Sequence, residues 1–405
     1  MPRTEKSRSE FILLSLWLLM FSSSSQFLII SPILTQIGEQ LYIPEALRGT
    51  LITAYALTLA FSALLTGPIS DRIGRRKVLL IGSGTMAISL AIHQLAFDYM
   101  SILLLRVLTG FAGGVLTGSC VAYIGDYFPK AKRGWANGVI ATGSAAGQIL
   151  GIPGGTILSE MFGFFAPFQF FSAIMFVAFF MILFIVPQPK VALANCQIRL
   201  GSIIRDYISI LKKESVKTVS LGYLLMFLSV TVFIVYFPTW LENEFGASSF
   251  KIALLFFVGG LATIFAGPIS GKISDQSGRK YIIIIANLLL VLVMPTTLFF
   301  LGFGFHFSYP VFFIIMLLTV GRMIPFQALA SEVIHDSTRG RMMALSISVG
   351  QIGMAIGSGI SGYIYTEFGF IGNAIIGSVA SLAMALLIGK YISEPKIVLT
   401  EETSR

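Results

Sequence analysis

Gly67-Pro68-Ile69-Ser70-Asp71-Arg72-Ile73-Gly74-Arg75-Arg76 decides the fold, because the chain repeats its pattern at Gly271-Lys272-Ile273-Ser274-Asp275-Gln276-Ser277-Gly278-Arg279-Lys280. The copies lie 204 residues apart in a chain of 405, and each joins two apolar segments. A short charged loop recurring at half the chain length implies a duplicated unit. Composition names the medium in which that unit folds. Mean hydropathy is +0.86, with 55% hydrophobic and 12% charged residues, whereas water-soluble domains carry roughly a quarter charged. The solvent for this chain is a bilayer.

Apolar windows of about 20 residues fall at 11–36, 48–69, 76–96, 99–125, 135–158 and 164–186, then at 218–240, 250–271, 280–302, 309–333, 342–366 and 371–392. The reading is an all-α membrane protein with twelve transmembrane helices arranged as two six-helix pseudo-symmetric bundles, residues 1–186 and 218–405. Helices are required because hydrocarbon cannot satisfy backbone polar groups, and the segments are too long and uniformly apolar for barrel strands. Six is even, so both copies enter the membrane from the same side. With the N-terminus inside, 24 of the 28 Lys and Arg residues fall on cytoplasmic segments, which predicts a multi-pass bacterial inner-membrane protein with both termini cytoplasmic. This bias also accounts for the sequence pI near 9.5, so no nucleic-acid partner is expected.

The N-terminal Arg3, Lys6 and Arg8 precede an apolar run that resembles a cleavable leader, but the run resumes at Phe27 and makes a full first span. Between the halves, the 187–217 linker carries Leu200, Ile203, Ile204, Tyr207, Ile208 and Leu211 at helical spacing with Arg205, Lys212 and Lys213 among them. That pattern predicts an amphipathic helix on the membrane surface, either a tether or a regulatory element. Cys120 and Cys196 form no disulfide framework and no metal-ligand spacing. No phosphate-binding Gly-Lys-Ser loop is present, and no nucleophile, metal cluster or carboxylate pair suggests an enzyme. No cofactor and no metal are expected.

The 67–76 loop resembles the signature of the major facilitator superfamily, Gly-x-x-x-Asp-Arg-x-Gly-Arg-Arg between the second and third helices. Arg106, followed by Gly110, Ala112, Gly113 and Gly114, is similar to that superfamily's fourth-helix signature, so the likeness covers most of the N-terminal half. Gly138, Gly147, Gly151 and Gly155 have the spacing of the antiporter signature of drug and sugar efflux members, with Pro153 one place later than usual. The resemblance implies a small-molecule transporter working by alternating access without ATP, most simply a monomer exporting organic compounds in exchange for protons, with a cavity formed by helices one, four, seven and ten. It also implies gating by Asp71, Arg72, Gly74, Arg75 and Arg76. Asp71 would contact the start of the eleventh helix near Arg341 and the 126–133 segment when the cytoplasmic side is closed. Asp126 and Arg133 recur as Glu332 and Arg339, each shifted by 206, and with Asp275, Gly278 and Arg279 they form the matching set in the second half.

Small residues are dense in the fifth and eleventh helices. Gly143, Gly147, Gly151 and Gly155 fall every four residues, as do Ser346 and Gly350 beside Gln351, with Gly353, Gly357 and Gly359 nearby, so close helix approach is expected, with sliding between the halves as its use. Gln148 and Gln351, in matched Gly-Gln-Ile triplets, could face a cavity or hydrogen-bond between helices.

None of the 19 acidic residues falls mid-span. Arg106 and Arg322 do, roughly 10 Å and 18 Å below the outer helix ends at 1.5 Å per residue, and each costs on the order of 3 kcal/mol on insertion scales. Without a buried carboxylate, backbone carbonyls, a water-filled cavity or an anionic substrate must offset that cost. Arg322, followed by Pro325, is the favoured substrate contact, and Arg106 is balanced between structural or coupling work and substrate. Tyr55, Tyr223 and Tyr236 are candidate pathway residues. Proton-linked efflux lacks the central carboxylate that such members usually carry, which leaves exchange or symport of an anionic metabolite through Arg322 and Arg106 as the alternative.

Overall fold

The computed structural model describes residues 3–189, 191, 200–333 and 339–392. Among them, the chain is helical throughout its ordered elements, with no strand. In the first half α1 spans Arg3–Ser25, α2 Thr50–Ile73, α3 Arg75–Ala91 and α4 Tyr99–Tyr127. Then α5 comprises Lys130–Ala146 and Ile152–Phe162 joined by a π turn at Gly147–Gly151, and α6 spans Ala166–Phe184. In the second half α7 spans Glu214–Ile234 and continues in the short helix Phe237–Phe245. It is followed by α8 at Ser249–Ser277, α9 at Arg279–Leu301 and α10 at Ser308–Val333. Gly369, at φ 65° and ψ −173°, breaks the continuous run Arg339–Tyr391 into α11 (339–368) and α12 (370–391).

Nine helical stretches among the described residues are long and apolar enough to cross a membrane, with Arg341–Tyr391 counting as one. The first helix and the divided fifth fall short by that measure, so twelve crossings are reached only by counting them and by splitting the last run at Gly369.

Local chemistry explains where the helices stop. Gly74 and Gly278 take φ of 98° and 95°, a region closed to side chains with a Cβ, and each N–H returns to a Ser carbonyl, Ser70 and Ser274, at 3.1 Å. The two repeated loops are therefore the same turn made twice. At the opposite face Asp98 starts α4 with a capping box: its Oδ1 accepts from the Ser101 N–H at 2.8 Å, and Ser101 Oγ accepts from the Asp98 N–H at 3.0 Å. This bonding holds the Asp98 carboxyl below its ordinary pKa. Phe184, Leu292 and Leu386 stand exposed on the outside, as expected of helices surrounded by lipid tails.

Helices pack mainly with partners in their own half: α2 with α4, α3 with α4 and α6, α1 with α5, and correspondingly α8 and α9 with α10, and α7 with α11. Contact between the halves runs through α2 on α11 and the second segment of α5 on α8. The linker helix forms at Leu200–Leu211, inside the predicted 187–217 segment.

Candidate functional site

The loops at one face assemble two matched charge clusters. Arg75 is the hub of the first: it pairs with Asp71, donates from Nε to Asp126 Oδ2 at 2.7 Å and from Nη1 to Ser70 Oγ at 2.9 Å. Arg279 is the hub of the second, paired with Asp275 at 3.3 Å and with Glu332. The residue after each hub ties the loop to the last helix of its half. Arg76 Nη2 donates to Leu183 O at 2.6 Å, and Lys280 Nζ donates to Gly389 O and Ile392 O at 2.8 Å. A cation at a helix C-terminus also meets the negative end of the helix dipole.

The sequence reading put Asp71 at the centre and did not single out Lys280. The repeat did carry that signal, since Lys280 aligns with Arg76 at the same offset of 204. Arg133 bonds locally, Nε to Phe128 O at 3.0 Å. Arg72 is exposed, and the side chain of Arg339 lies outside the described residues. Among the described residues no hydrogen bond or ion pair joins Asp71 to α11, so the expected contact with the eleventh helix is not made in this conformation. Asp71 is half-exposed instead.

The opposite face is stitched shut. Ser31 Oγ donates to Ile234 O at 3.0 Å, and Thr35 Oγ1 donates to Thr239 Oγ1 at 3.3 Å. Thr53 Oγ1 donates to Ala355 O at 2.9 Å. Tyr236 donates its hydroxyl proton to Glu45 O and accepts from the Gly49 N–H at 3.2 Å. Every described hydrogen bond between the two halves lies on this side, and Tyr236 is therefore a seam residue rather than a lining one.

Between these faces the two core arginines stand in different surroundings, and the geometry reverses the order in which sequence ranked them. Arg322, fully buried on α10, gives four hydrogen bonds: Nη1 to Asn287 Oδ1 at 2.6 Å and Ser381 Oγ at 3.3 Å, Nη2 to Met226 O at 3.0 Å and Ser229 Oγ at 2.6 Å. Asn287 is held for this by its own Nδ2 donating to Ile283 O at 2.8 Å. Neutral oxygens from α7, α9 and α12 thus solvate both Nη groups, and among the described residues only Nε is left without a partner.

Arg106, also fully buried, gives one bond, Nη2 to Gln26 O at 2.9 Å, and lies over the Tyr55 ring at 4.5 Å. Among the described residues its Nε and Nη1, both side-chain polar atoms of Gln26, and Nε2 of the buried His93 have no hydrogen-bond partner. Gln26 and His93 were not picked out as site residues; a lone Gln or a His near a helix end carries no pattern that sequence can use. Tyr223 is buried beside Phe326, its hydroxyl without a partner among the described residues. Gln351 is buried and Gln148 exposed, so the matched triplets do not do matched work.

The glycine rows correct the expectation of a sliding surface between halves. A Cβ added at Gly143, Gly147, Gly151 or Gly155 would lie 2.2–2.7 Å from Trp17 O, Phe21 O, Ser25 Oγ and the Ile29 side chain respectively. These four-residue steps on α1 and just beyond it match those on α5, so the row is a close helix contact inside one half. Gly350, Gly353 and Gly357 face Phe227, Leu224 and Leu228 of α7 in the same way. Pro153 follows the π turn, where its missing N–H interrupts the regular ladder.

The model of the Major Facilitator Superfamily matches residues 16–216 and 219–404. The chain belongs to this superfamily. Within it, the chain is 26% identical over 377 residues to the "Uncharacterized MFS-type transporter YceJ" of Bacillus subtilis (strain 168), covering 91% of this chain and 93% of that protein. It is also 26% identical over 394 residues to the "Multidrug resistance protein MdtG" of Proteus mirabilis (strain HI4320), covering 93% and 94%. Among solved structures, a D-xylose-proton symporter superposes with a TM-score of 0.78 at 17% identity, over 95% of this chain and 98% of that one. A bacterial homolog of the human lysosomal transporter Spinster, inward-facing and unoccupied, superposes at 0.72 with 15% identity over 95% of each chain. The chain is thus an all-α membrane transporter of the major facilitator superfamily and not an enzyme.

Proposed function

We propose that this transporter exports small organic molecules in exchange for protons, by alternating access between units 1–186 and 218–405 joined through the 187–217 linker. The observation that carries the mechanism is the asymmetry of the interface. Hydrogen bonds described between the halves gather on one face, while on the other the described ion pairs, Arg75 with Asp71 and Asp126 and Arg279 with Asp275 and Glu332, each run within one half. Such an arrangement is one end state of a rocking pair. The efflux direction is supported by a relative named multidrug resistance protein, similar over 93% of this chain.

Exchange or symport of an anionic metabolite is a second reading, and Arg106 favours it: a buried guanidinium that, among the described residues, has two unpaired nitrogens and no ion pair. Purified protein in proteoliposomes separates the two. Proton-linked efflux predicts movement of lipophilic dyes driven by an imposed pH gradient, abolished by a protonophore and slowed by Asp71→Asn in protein that still folds. Anion exchange predicts counterflow of carboxylate compounds without a pH gradient, lost in Arg106→Gln. Absence of both fluxes would refute the two readings together.

A further inference from the structure

The linker helix Leu200–Leu211 does more than tie the halves together. Tyr207 donates its hydroxyl proton to Leu64 O on α2 at 3.2 Å, which pins the helix across the charged-loop face. Beneath it lies a cavity of about 170 Å³, comparable to the ~150 Å³ apolar cavities that accept a benzene ring. Its walls are apolar side chains from three places: Phe61 and Leu64 on α2, Tyr207, Ile208 and Leu211 on the linker helix, and Leu345 on α11. Phe61 and Ile208 are 55% and 54% exposed, so the cavity opens sideways at the membrane surface.

The rim carries positive charge. Arg341, exposed on α11, stands one helical turn before the cavity-lining Leu345 and so on the same helix face; burial raises the Tyr207 phenol above its ordinary pKa and the charge of Arg341 pulls it back. Arg205, three residues before Ile208 on the helix, and Lys212, just past its C-terminal end, are also exposed. Asp206 is the one carboxylate on that helix.

We propose that this groove binds one anionic phospholipid, with an acyl segment in the apolar cavity and the phosphate on Arg341, Arg205 and Lys212. A juxtamembrane cation contributes about 1 kcal/mol toward anionic lipid, and the cavity adds what open bilayer does not offer, a shaped seat for the chain. Because α2, α11 and the linker each supply a wall, the seat exists in full only at this separation of α2 and α11. A bound lipid therefore favours the conformation described here over one in which those helices move.

Native mass spectrometry of the full-length protein, equilibrated with dioleoyl phosphatidylglycerol or dioleoyl phosphatidylcholine and then stripped with detergent, tests this. The wild type is expected to retain one phosphatidylglycerol at least about fivefold more than phosphatidylcholine, the ratio that one such charge provides. The triple variant Arg205→Gln, Lys212→Gln, Arg341→Gln should lose that preference, and Ile208→Trp, which fills the groove at an exposed position, should lose retention of both lipids. Equal retention of the two lipids by the wild type, a preference that survives the triple variant, or retention that survives Ile208→Trp would each overturn the proposal.

Discussion

Arg322 and Arg106 pose the same problem, a charge inside a membrane helix, and the fold solves it in two ways. Around Arg322 four oxygens from three helices replace water. Arg322→Gln leaves Asn287 and Ser229 without their donor, and the expected cost is about 2–4 kcal/mol given that charged hydrogen bonds are the stronger ones but membrane interiors mute them. A lowered unfolding temperature with unchanged ligand preference checks it. Arg106 has spent one donor on protein, so Arg106→Gln removes little bonding and relieves a buried charge. Its expected signature is near-normal thermal stability with altered ligand response. Undiminished stability of Arg322→Gln would show that its four bonds do not hold the bundle.

At the scale of elements, the glycine row of α5 reads as a contact rather than a gate. A Cβ at Gly147 would stand 2.4 Å from Phe21 O, whereas one at Gly138 would meet nothing within 4 Å. Gly147→Ala is therefore expected to push α1 and α5 apart at a cost of about 1–3 kcal/mol, the range for overpacking. Gly138→Ala on the same helix should be neutral or slightly stabilising, because Ala is the better helix former. Thermal unfolding of the two variants in detergent makes the comparison; equal effects would place the α1–α5 contact elsewhere. Both glycines belong to one sequence pattern, and only the packing separates them.

For the whole molecule, the closed seam is held by a few bonds in which Tyr236 is prominent, linking α7 to Glu45 and Gly49. Tyr236→Phe removes both bonds at a net cost of about 1–3 kcal/mol to the closed face. That shifts a two-state population by roughly fivefold to 150-fold toward opening on that side. Distances between spin labels at the ends of α2 and α11 on the Glu45 side should broaden toward longer values. An unchanged distribution would mean that apolar contacts alone close the face.

How much was legible from the sequence follows from what each feature depends on. The medium, the helical class, the duplication and the family are local or statistical properties: hydropathy over about 20 residues, a turn that needs glycine, a loop written twice 204 residues apart. No tertiary contact is needed to read them, because the bilayer itself dictates that apolar spans be helical. Which partner a side chain meets depends instead on rotation and register across helices far apart in the chain. That geometry decided that Arg75 rather than Asp71 is the hub of its cluster, that Arg322 gives four hydrogen bonds to protein while Arg106 gives one, and that the glycine rows bind helices within a half. The sequence alone determined that two matched helical units cross a membrane; only their packing decided that, among the described residues, Arg106 keeps two nitrogens unpaired and Arg322 one.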